Sequence, residues 1–395
     1  MALQETDVSN RVWFSKALSV RAVRASLLLA DQLAALFSER QPERCWIAIP
    51  LFTFENKTGR ILVDMYDNRA AKQELVASLR QKQTVLVAGA GNSYSVGYPL
   101  WPELVESLRT TFAATLAWSS DVPAMTFAGA IVADIKKHKR EEAYHNFLEK
   151  TFEPPRDGRP QHNDAHVALV RLPFCGFTTT NYERVIESAV GEAFAAGGVP
   201  HFCEEIDLCA ERPYRVLDFF RGMGIGGPRW VLHLHGYYRN PQRLILTEED
   251  YVNSYGQRPA YDKNGRALNV TLDSLHRKVL WALCIAHPLL FVGFSLEDGF
   301  FVHILRVLRQ DLQLGEDLRH FAIMSYTSED QREHIAGRLR LLNTLPMFYY
   351  VPAAEHGQAP DHSGLTRLIY DLAAGVGVSV IPESIASLNK RMLEL

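Results

Sequence analysis

A strand that runs directly into a glycine turn constrains this chain more than anything else in it. Thr84-Val-Leu-Val-Ala-Gly89-Ala-Gly91-Asn92-Ser93 is a short apolar run closed by Gly-Ala-Gly, with a helix-patterned stretch from Trp101 to Leu116 behind it. Strand, glycine turn and helix start is the geometry in which backbone N–H groups hold a phosphate. Glycine is needed where a backbone turns tightly and approaches a partner with no Cβ in the way. The same pattern also serves as a plain strand-to-helix turn, so its meaning depends on what later strands bring beside it.

The later chain repeats the unit. Lys72–Gln81 reads as a helix leading into the strand Thr84–Ala88. Leu172–Thr179 reads as the next strand, with the helix Tyr182–Ala196 after it, and Arg229–Leu234 as a third strand ending at His235-Gly236. Leu244–Thr247 is short and β-like, and Glu248–Tyr255 opens a helix. Thr271–Ala286 is helical, and Leu289–Gly293 is apolar throughout, as expected of a strand covered on both faces. Asp298–Gln310, Asp330–Leu342 and Gly364–Ala374 read as helices, and His320–Ser325 and Met347–Val351 as strands. Strands alternating with helices predict an α/β fold, a doubly wound parallel (Rossmann-like) sheet. Residues 76–375 form the expected domain, with a helical insertion at about 118–170 that carries the basic run Lys136-Lys-His-Lys-Arg140, read as a solvated helix face. Residues 1–75 form an N-terminal extension. It holds helical spacing at Val20, Val23, Leu27, Leu28, Leu33, Leu36 and Phe37, then a hairpin-like pair, Cys45–Phe54 and Ile61–Met65. It would be an added core layer or an oligomer or partner surface. Residues 376–395 form a tail with an amphipathic stretch, Ile381–Leu395.

Composition narrows the function classes. The formal net charge of -3 argues against a broad nucleic-acid footprint and leaves direct local contact open. Five cysteines, Cys45, Cys175, Cys203, Cys209 and Cys284, are odd in number and lack C-x-x-C spacing. That fits a reducing cytoplasm and neither a disulfide framework nor a cysteine zinc cage. The acidic, polar start is not a secretory signal, and the apolar runs are too short to span a bilayer, so no membrane role is expected.

Four predicted strands end in polar or glycine-bearing turns: Gly89-Ala-Gly91-Asn92-Ser93, Thr179-Thr180-Asn181-Tyr182-Glu183, His233-Leu-His235-Gly236 and Gly293-Phe294-Ser295. In a doubly wound sheet these turns share the ligand-binding edge. A phosphate cradle, an amide, an imidazole and a serine would then meet in one place. By local pattern alone, Asn181 also suits an N-cap at a helix start. His233 and His235 would share a face if the strand continues through both, a relation lost if it ends between them. Asp250 and Tyr251 suit a loop-stabilising role as well as a site role.

Gly-Ala-Gly-x-Ser, then Thr-x-Asn, then His-Gly, then Gly-Phe-Ser, in this order, resembles the sirtuin fold. Thr179-Thr-Asn-Tyr182, the His-Gly followed by Leu246-Thr-Glu-Glu-Asp-Tyr251, and Val292-Gly-Phe-Ser-Leu-x-Asp298 are similar to its bacterial sirtuin-like branch, many of whose members degrade NAD in antiphage defence. The resemblance implies NAD+ as substrate. Gly89, Ala90, Gly91 and Ser93 would bind the phosphates and nearby ribose. Asn181, beside Thr180, would orient the nicotinamide ribose or the attacking water. His235, next to Gly236, would act as a base on the ribose hydroxyls. Ser295, beside Gly293, would hold the adenosine side. It implies no metal.

Departures shape that reading. Protein-deacylating sirtuins carry a cysteine zinc module after the His-Gly, where this chain holds only Cys284, which counts against protein deacylation; ADP-ribosyl transfer or deacylation of protein is the third reading. Asn181-Tyr182-Glu183 stands where the family has Asn-Tyr-Asp. The third glycine of a dehydrogenase fingerprint is missing, with Tyr94 in its place, which weakens hydride transfer. The expected function is an NAD+ glycohydrolase of antiphage defence, homo-oligomeric and switched on by a separate protein such as an ATPase or DNA translocase. The rival is a regulatory module that binds NAD or ADP-ribose without turnover.

Overall fold

The computed structural model describes residues 68–379, apart from 114, 119–121, 155–160, 196–200, 225–229, 257, 269–270, 314–319 and 353–359. The expectations for the helices and hairpin before residue 68 and for the tail helix Ile381–Leu395 lie outside the described residues.

The elements run α1 Arg69–Arg80, β1 Val85–Ala88, the single turn α2 Ala90–Ser93, α3 Trp101–Phe112, α4 Ala124–Lys137, α5 Glu141–Phe152, α6 Asp164–Val170 and β2 Gly176–Thr179. There follow α7 Val185–Ala193, β3 Glu204–Asp207, α8 Val216–Gly222, β4 Trp230–His233 and α9 Glu248–Tyr255. The remainder is β5 Ala260–Tyr261, β6 Ala267–Leu268, α10 Leu275–Ala286, β7 Leu289–Val292, α11 Gly299–Asp311, β8 His320–Tyr326, α12 Glu329–Arg340, β9 Thr344–Tyr350 and α13 Ser363–Val376. Seven strands form one parallel sheet in the order β3-β4-β2-β1-β7-β8-β9, and β5-β6 is a separate antiparallel pair.

Alternation along the strands builds two cores. Val85 and Val87 of β1 join Leu232, Leu289 and Phe291 on one face, and Leu86 and Ala88 join Val231, Leu290 and Val292 on the other. Helices cover both faces, so every residue of β1 and β7 is buried. α1 places Ala71, Leu75 and Leu79 on one stripe and packs against α13. A third cluster, including Leu104, Ile131, Leu148, Tyr182, Tyr237 and Leu246, joins α3, α4 and α5 to the turns after β2 and β4. The expected helical insertion therefore sits over the edge where the strands end.

Besides the short pair β5-β6, two elements were not read from the sequence. β3 carries the adjacent carboxylates Glu204 and Glu205, which a central strand would not tolerate, and it lies at the sheet's edge, where both are partly exposed. α8 follows it and packs on β4. One reading is corrected. Leu244–Thr247 forms no sheet strand: it is an extended segment whose apolar character comes from burial of Leu244, Ile245 and Leu246 beneath the insertion and core, with one backbone bond from the Ile245 amide to the His235 carbonyl at 3.0 Å. Among the described residues, no helix is long and apolar enough to cross a membrane.

Candidate functional site

Register decides what meets at the sheet edge. Ala88 pairs with Thr179 on one side and Val292 on the other, and Thr179 pairs with His233. The four turns thus leave the sheet in line, beside β1, where the strand order reverses and open α/β sheets bind ligands.

The glycines serve first to let two of these turns interlock. The Gly89 amide donates to the Val292 carbonyl and the Gly91 amide to the Gly293 carbonyl, both at 2.9 Å. A Cβ on Gly89 would lie 2.5 Å from the Gly293 oxygen. Gly293 has φ +65, and a Cβ there would lie 2.0 Å from the Asn92 nitrogen. His166 of α6 braces the turn from behind. Its Nδ1 accepts from the Asn163 amide at 3.1 Å, so its Nε2 carries the proton and donates to the Asn92 carbonyl at 2.6 Å. Burial pushes its pKa down to about 4, keeping the ring neutral.

Asn181 belongs to a buried polar knot. Its Nδ2 lies 3.0 Å from Ser93 Oγ and donates to Glu183 Oε1 at 2.7 Å. The Ser93 hydroxyl donates to the same Glu183 oxygen, and the Val185 amide donates to Glu183 Oε2 at 2.9 Å. Burial raises the Glu183 pKa, against the lowering effect of these donors. The N-cap position of α7 is Arg184, so Asn181 does not cap it. Behind the knot, His233 Nδ1 donates to the Asn181 carbonyl at 2.9 Å and Nε2 meets Glu187 at 2.7 Å. Burial acts to lower the His233 pKa, but the Glu187 carboxylate outweighs it with the Asn181 carbonyl, and the net shift is upward.

β4 ends at His233, which separates the two histidines: His233 faces the core and His235 the cleft. Asp250 forms a capping box with Thr247 that starts α9, its Oδ2 accepting from the Thr247 amide at 2.7 Å. That start points Tyr251 and Tyr255 at His235. Tyr255 Oη lies 2.9 Å from His235 Nε2, and Tyr251 Oη lies 3.4 Å from Nδ1. Tyr251 donates to Asp298 Oδ2 at 3.0 Å, while Asp298 Oδ1 caps α11 through the Phe300 and Phe301 amides at 2.9 and 3.1 Å. Burial pushes the His235 pKa down to about 3. Its Nε2 approaches Asp298 Oδ2 to 3.7 Å, but a ring so strongly desolvated is neutral here, and the approach is not an ion pair.

These groups open on one cleft of about 730 Å³, in the range of small-molecule sites. Ala90, Gly91, Ser93, Thr180, Asn181, His235, Gly293 and Ser295 line it. Gly89 and Gly236 stand in the turns behind its wall, Gly236 at φ +95 against Leu244. Glu183 and Asp298 also line it, as does Tyr251, while Asp250 serves the helix start. The cleft continues past β8 and β9 to Gln331, His334, Ile335 and Arg338, spaced i, i+3, i+4, i+7 on α12, a one-face pattern visible in the sequence. Arg338 donates to the Ser295 carbonyl at 2.9 Å and to Glu297 at 3.0 Å, tying α12 to the turn after β7. A smaller groove of about 420 Å³ between α4 and α9 receives none of the strand-end turns and lacks their converging chemistry. Among the described residues, no group of three or more His, Cys, Asp or Glu could hold a metal ion.

Residues 176–344 match the family model described as SIR2-like domain. The NAD(+) hydrolase ThsA of Bacillus cereus (strain MSX-D12) is 21% identical over 252 residues, which are 64% of this chain and 45% of that protein. The NAD(+) hydrolase ThsA of Enterococcus faecium is 24% identical over 260 residues, 65% of this chain and 46% of that protein. The chain spans about half the length of the curated relatives it matches. A structure of Sir2Tm bound to a propionylated peptide is 15% identical, covering 78% of this chain and 99% of that one, with a TM-score of 0.35. The turns after β2, β4 and β7 all fall inside the matched segment, and over that segment the chain is similar to a SIR2-like domain.

Proposed function

We propose that this chain hydrolyses NAD+ to nicotinamide and ADP-ribose. The observation that carries the reading is the meeting of Asn181 and His235, from the ends of two parallel strands, at one cleft beside Ser93 and the glycine turn. The name of the relatives, NAD(+) hydrolase, supports the same substrate.

In the reaction the C1′–N1 bond of the nicotinamide ribose breaks, and its electron pair neutralises the pyridinium nitrogen. Water then bonds to C1′ and gives up one proton. Nicotinamide leaves well without a metal, so the protein's work is to position the ribose, limit competing water and accept that proton. Ala90, Gly91 and Ser93 would lie along the phosphates and ribose, with Gly89 shaping their turn. Asn181, held by Thr180's neighbour Thr179 through its amide at 2.9 Å, would orient the ribose or the water. His235, neutral because it is buried, is in the form a base requires. Ser295 and Gly293 would hold the adenosine side, with Gly236 setting the turn that carries His235.

Unchecked hydrolysis would empty a cell of NAD, so the activity would be gated. We assign the gate to assembly into a homo-oligomer and to a separate activating protein, in a role of antiphage defence. The test is nicotinamide release from NAD+ by the purified chain, alone and with a candidate activator. Asn181→Ala and His235→Ala should each lower turnover by about 10²-fold or more while the protein stays folded and NAD binding stays near wild type. Wild type that binds NAD yet releases no nicotinamide in either condition would refute hydrolysis and leave the binding-module reading.

A further inference from the structure

Resting on the cleavage reading but reaching past it, we propose that Tyr251 and Asp298 are positioning residues that fix which nitrogen of His235 carries the ring proton: Nδ1 protonated, Nε2 the accepting nitrogen.

The assignment follows from counting protons in a largely buried cluster. Asp298 sits at the N-cap of α11, where Oδ1 accepts the Phe300 and Phe301 amides at 2.9 and 3.1 Å. The carboxyl group is thereby fixed, with Oδ2 left for Tyr251. The Tyr251 hydroxyl has one proton, and it goes to Oδ2 at 3.0 Å. Toward His235 the Tyr251 oxygen is then an acceptor, so Nδ1, 3.4 Å away, is N–H. Nε2 is left with its lone pair, and the Tyr255 hydroxyl donates to it at 2.9 Å. Every hydroxyl proton in the cluster has an acceptor in this arrangement. In the opposite tautomer the Nδ1 lone pair would face an oxygen whose proton is already committed.

The surroundings hold the arrangement still. Tyr251 and Tyr255 are one helical turn apart on α9, and both rings pack against Phe300, with centroids 5.0 and 5.7 Å away. Tyr251, Tyr255 and Asp298 are joined around the ring by His276 of α10, which packs on Tyr255 and whose own pKa is pushed down to about 4 by burial. When Nε2 takes a proton, the imidazolium gains the Asp298 carboxylate as its partner, through Tyr251 at Nδ1 and from 3.7 Å at Nε2. A base oriented by a second group, itself anchored by a third, is the usual logic of an activated proton acceptor.

The test is the ¹⁵N spectrum of the histidine rings in the full chain, with His235→Gln used to assign the signal, read beside nicotinamide release. Wild type should show a protonated Nδ1 and a bare Nε2. In Asp298→Asn the new oxygen can still cap α11, but the amide group then donates to Tyr251. The Tyr251 proton turns to Nδ1, and the ring proton moves to Nε2. Turnover should fall about 10²-fold with KM little changed. Tyr251→Phe removes the constraint without inverting it, and should cost about tenfold. The double variant Tyr251→Phe with Asp298→Asn should recover to the level of Tyr251→Phe alone, because no phenolic proton remains to turn. A purely structural role would make the two losses add. The proposal is overturned by a wild-type ring protonated at Nε2, by an unchanged tautomer in Asp298→Asn, or by additive losses in the double variant. If wild type releases no nicotinamide, the cleavage reading falls, and the nitrogen spectrum still decides the tautomer.

Discussion

The interlock of the two glycine turns makes a quantitative prediction. Gly293→Ala places a methyl group where φ is +65 and the Asn92 nitrogen is 2.0 Å away, with the Gly91 carbonyl carbon at 2.7 Å. The left-handed backbone alone costs an L-residue about 1–2 kcal/mol. Forcing a carbon into filled space adds about 1–3 kcal/mol. Ordinary contact would require the turn to retreat by more than about 1 Å, a displacement able to cost about 10²-fold in a positioned reaction. The expected loss is therefore about 2–5 kcal/mol, or roughly 4–20 °C at about 2–4 °C per kcal/mol. Gly337→Ala is the matched control. That glycine lies in α12 with nothing within 4 Å of its missing Cβ. The same chemical change should there stabilise by about 0.5–1 kcal/mol, by relieving a helix-interior glycine. Thermal unfolding of both variants, with nicotinamide release and NAD binding measured on the same samples, decides the matter. A Gly293→Ala protein with wild-type midpoint and turnover would refute the claim that this contact sets the turn.

Two further outcomes follow from the buried polar groups. Glu187→Gln leaves the His233 ring, which is wholly buried, without its carboxylate, and should cost about 3–5 kcal/mol. The folded pKa of His233 is raised above its ordinary value, so the pair's contribution is full below pH about 6.5. It is lost as pH rises through the folded value. The stability gap to Glu187→Gln in urea unfolding should shrink on the alkaline side, and a gap that widens with pH would contradict the assignment. Glu183→Gln must turn an amide nitrogen toward one of three donors, those of Ser93, Asn181 and Val185. A loss of about 1–3 kcal/mol together with reduced nicotinamide release is expected, and unchanged values for both would remove Glu183 from the site.

How much of this was legible depended on whether a signal was local. The strands β1, β2, β4 and β7 could be read because a strand buried on both faces must be apolar throughout, and their turns could be placed on one edge because parallel strands all end the same way. Asn181 as an N-cap, and His233 and His235 as neighbours on a face, were left open by pattern alone. Those questions were settled by where α7 starts and where β4 ends, within one or two residues, which no periodicity resolves. β3 was hidden because an edge strand needs little apolar character, and Leu244–Thr247 misled because burial without sheet pairing looks the same as a short strand. Asp298 reads simply as a helix cap. Nothing local reveals that its second oxygen faces Tyr251, since that contact spans elements far apart in sequence.

The glycine turn shows why a motif of this kind is ambiguous in principle. Gly89, Gly91 and Gly293 lack side chains first because two strand ends pass through each other's Cβ positions, and the amides of Gly89 and Gly91 are already bonded across that contact. Such a contact arises here because β1 and β7 end level and both chains turn over the same edge. The requirement belongs to the sheet, whatever reaction happens above it. Chemistry enters with the groups that the level edge presents, here a serine, an amide, a carboxyl group and an imidazole. The glycine signature therefore locates the edge, and the polar residues two to four positions beyond each strand carry the information about function. Asn181, Glu183 and His235 occupy those positions, and they are where substitution should lower turnover.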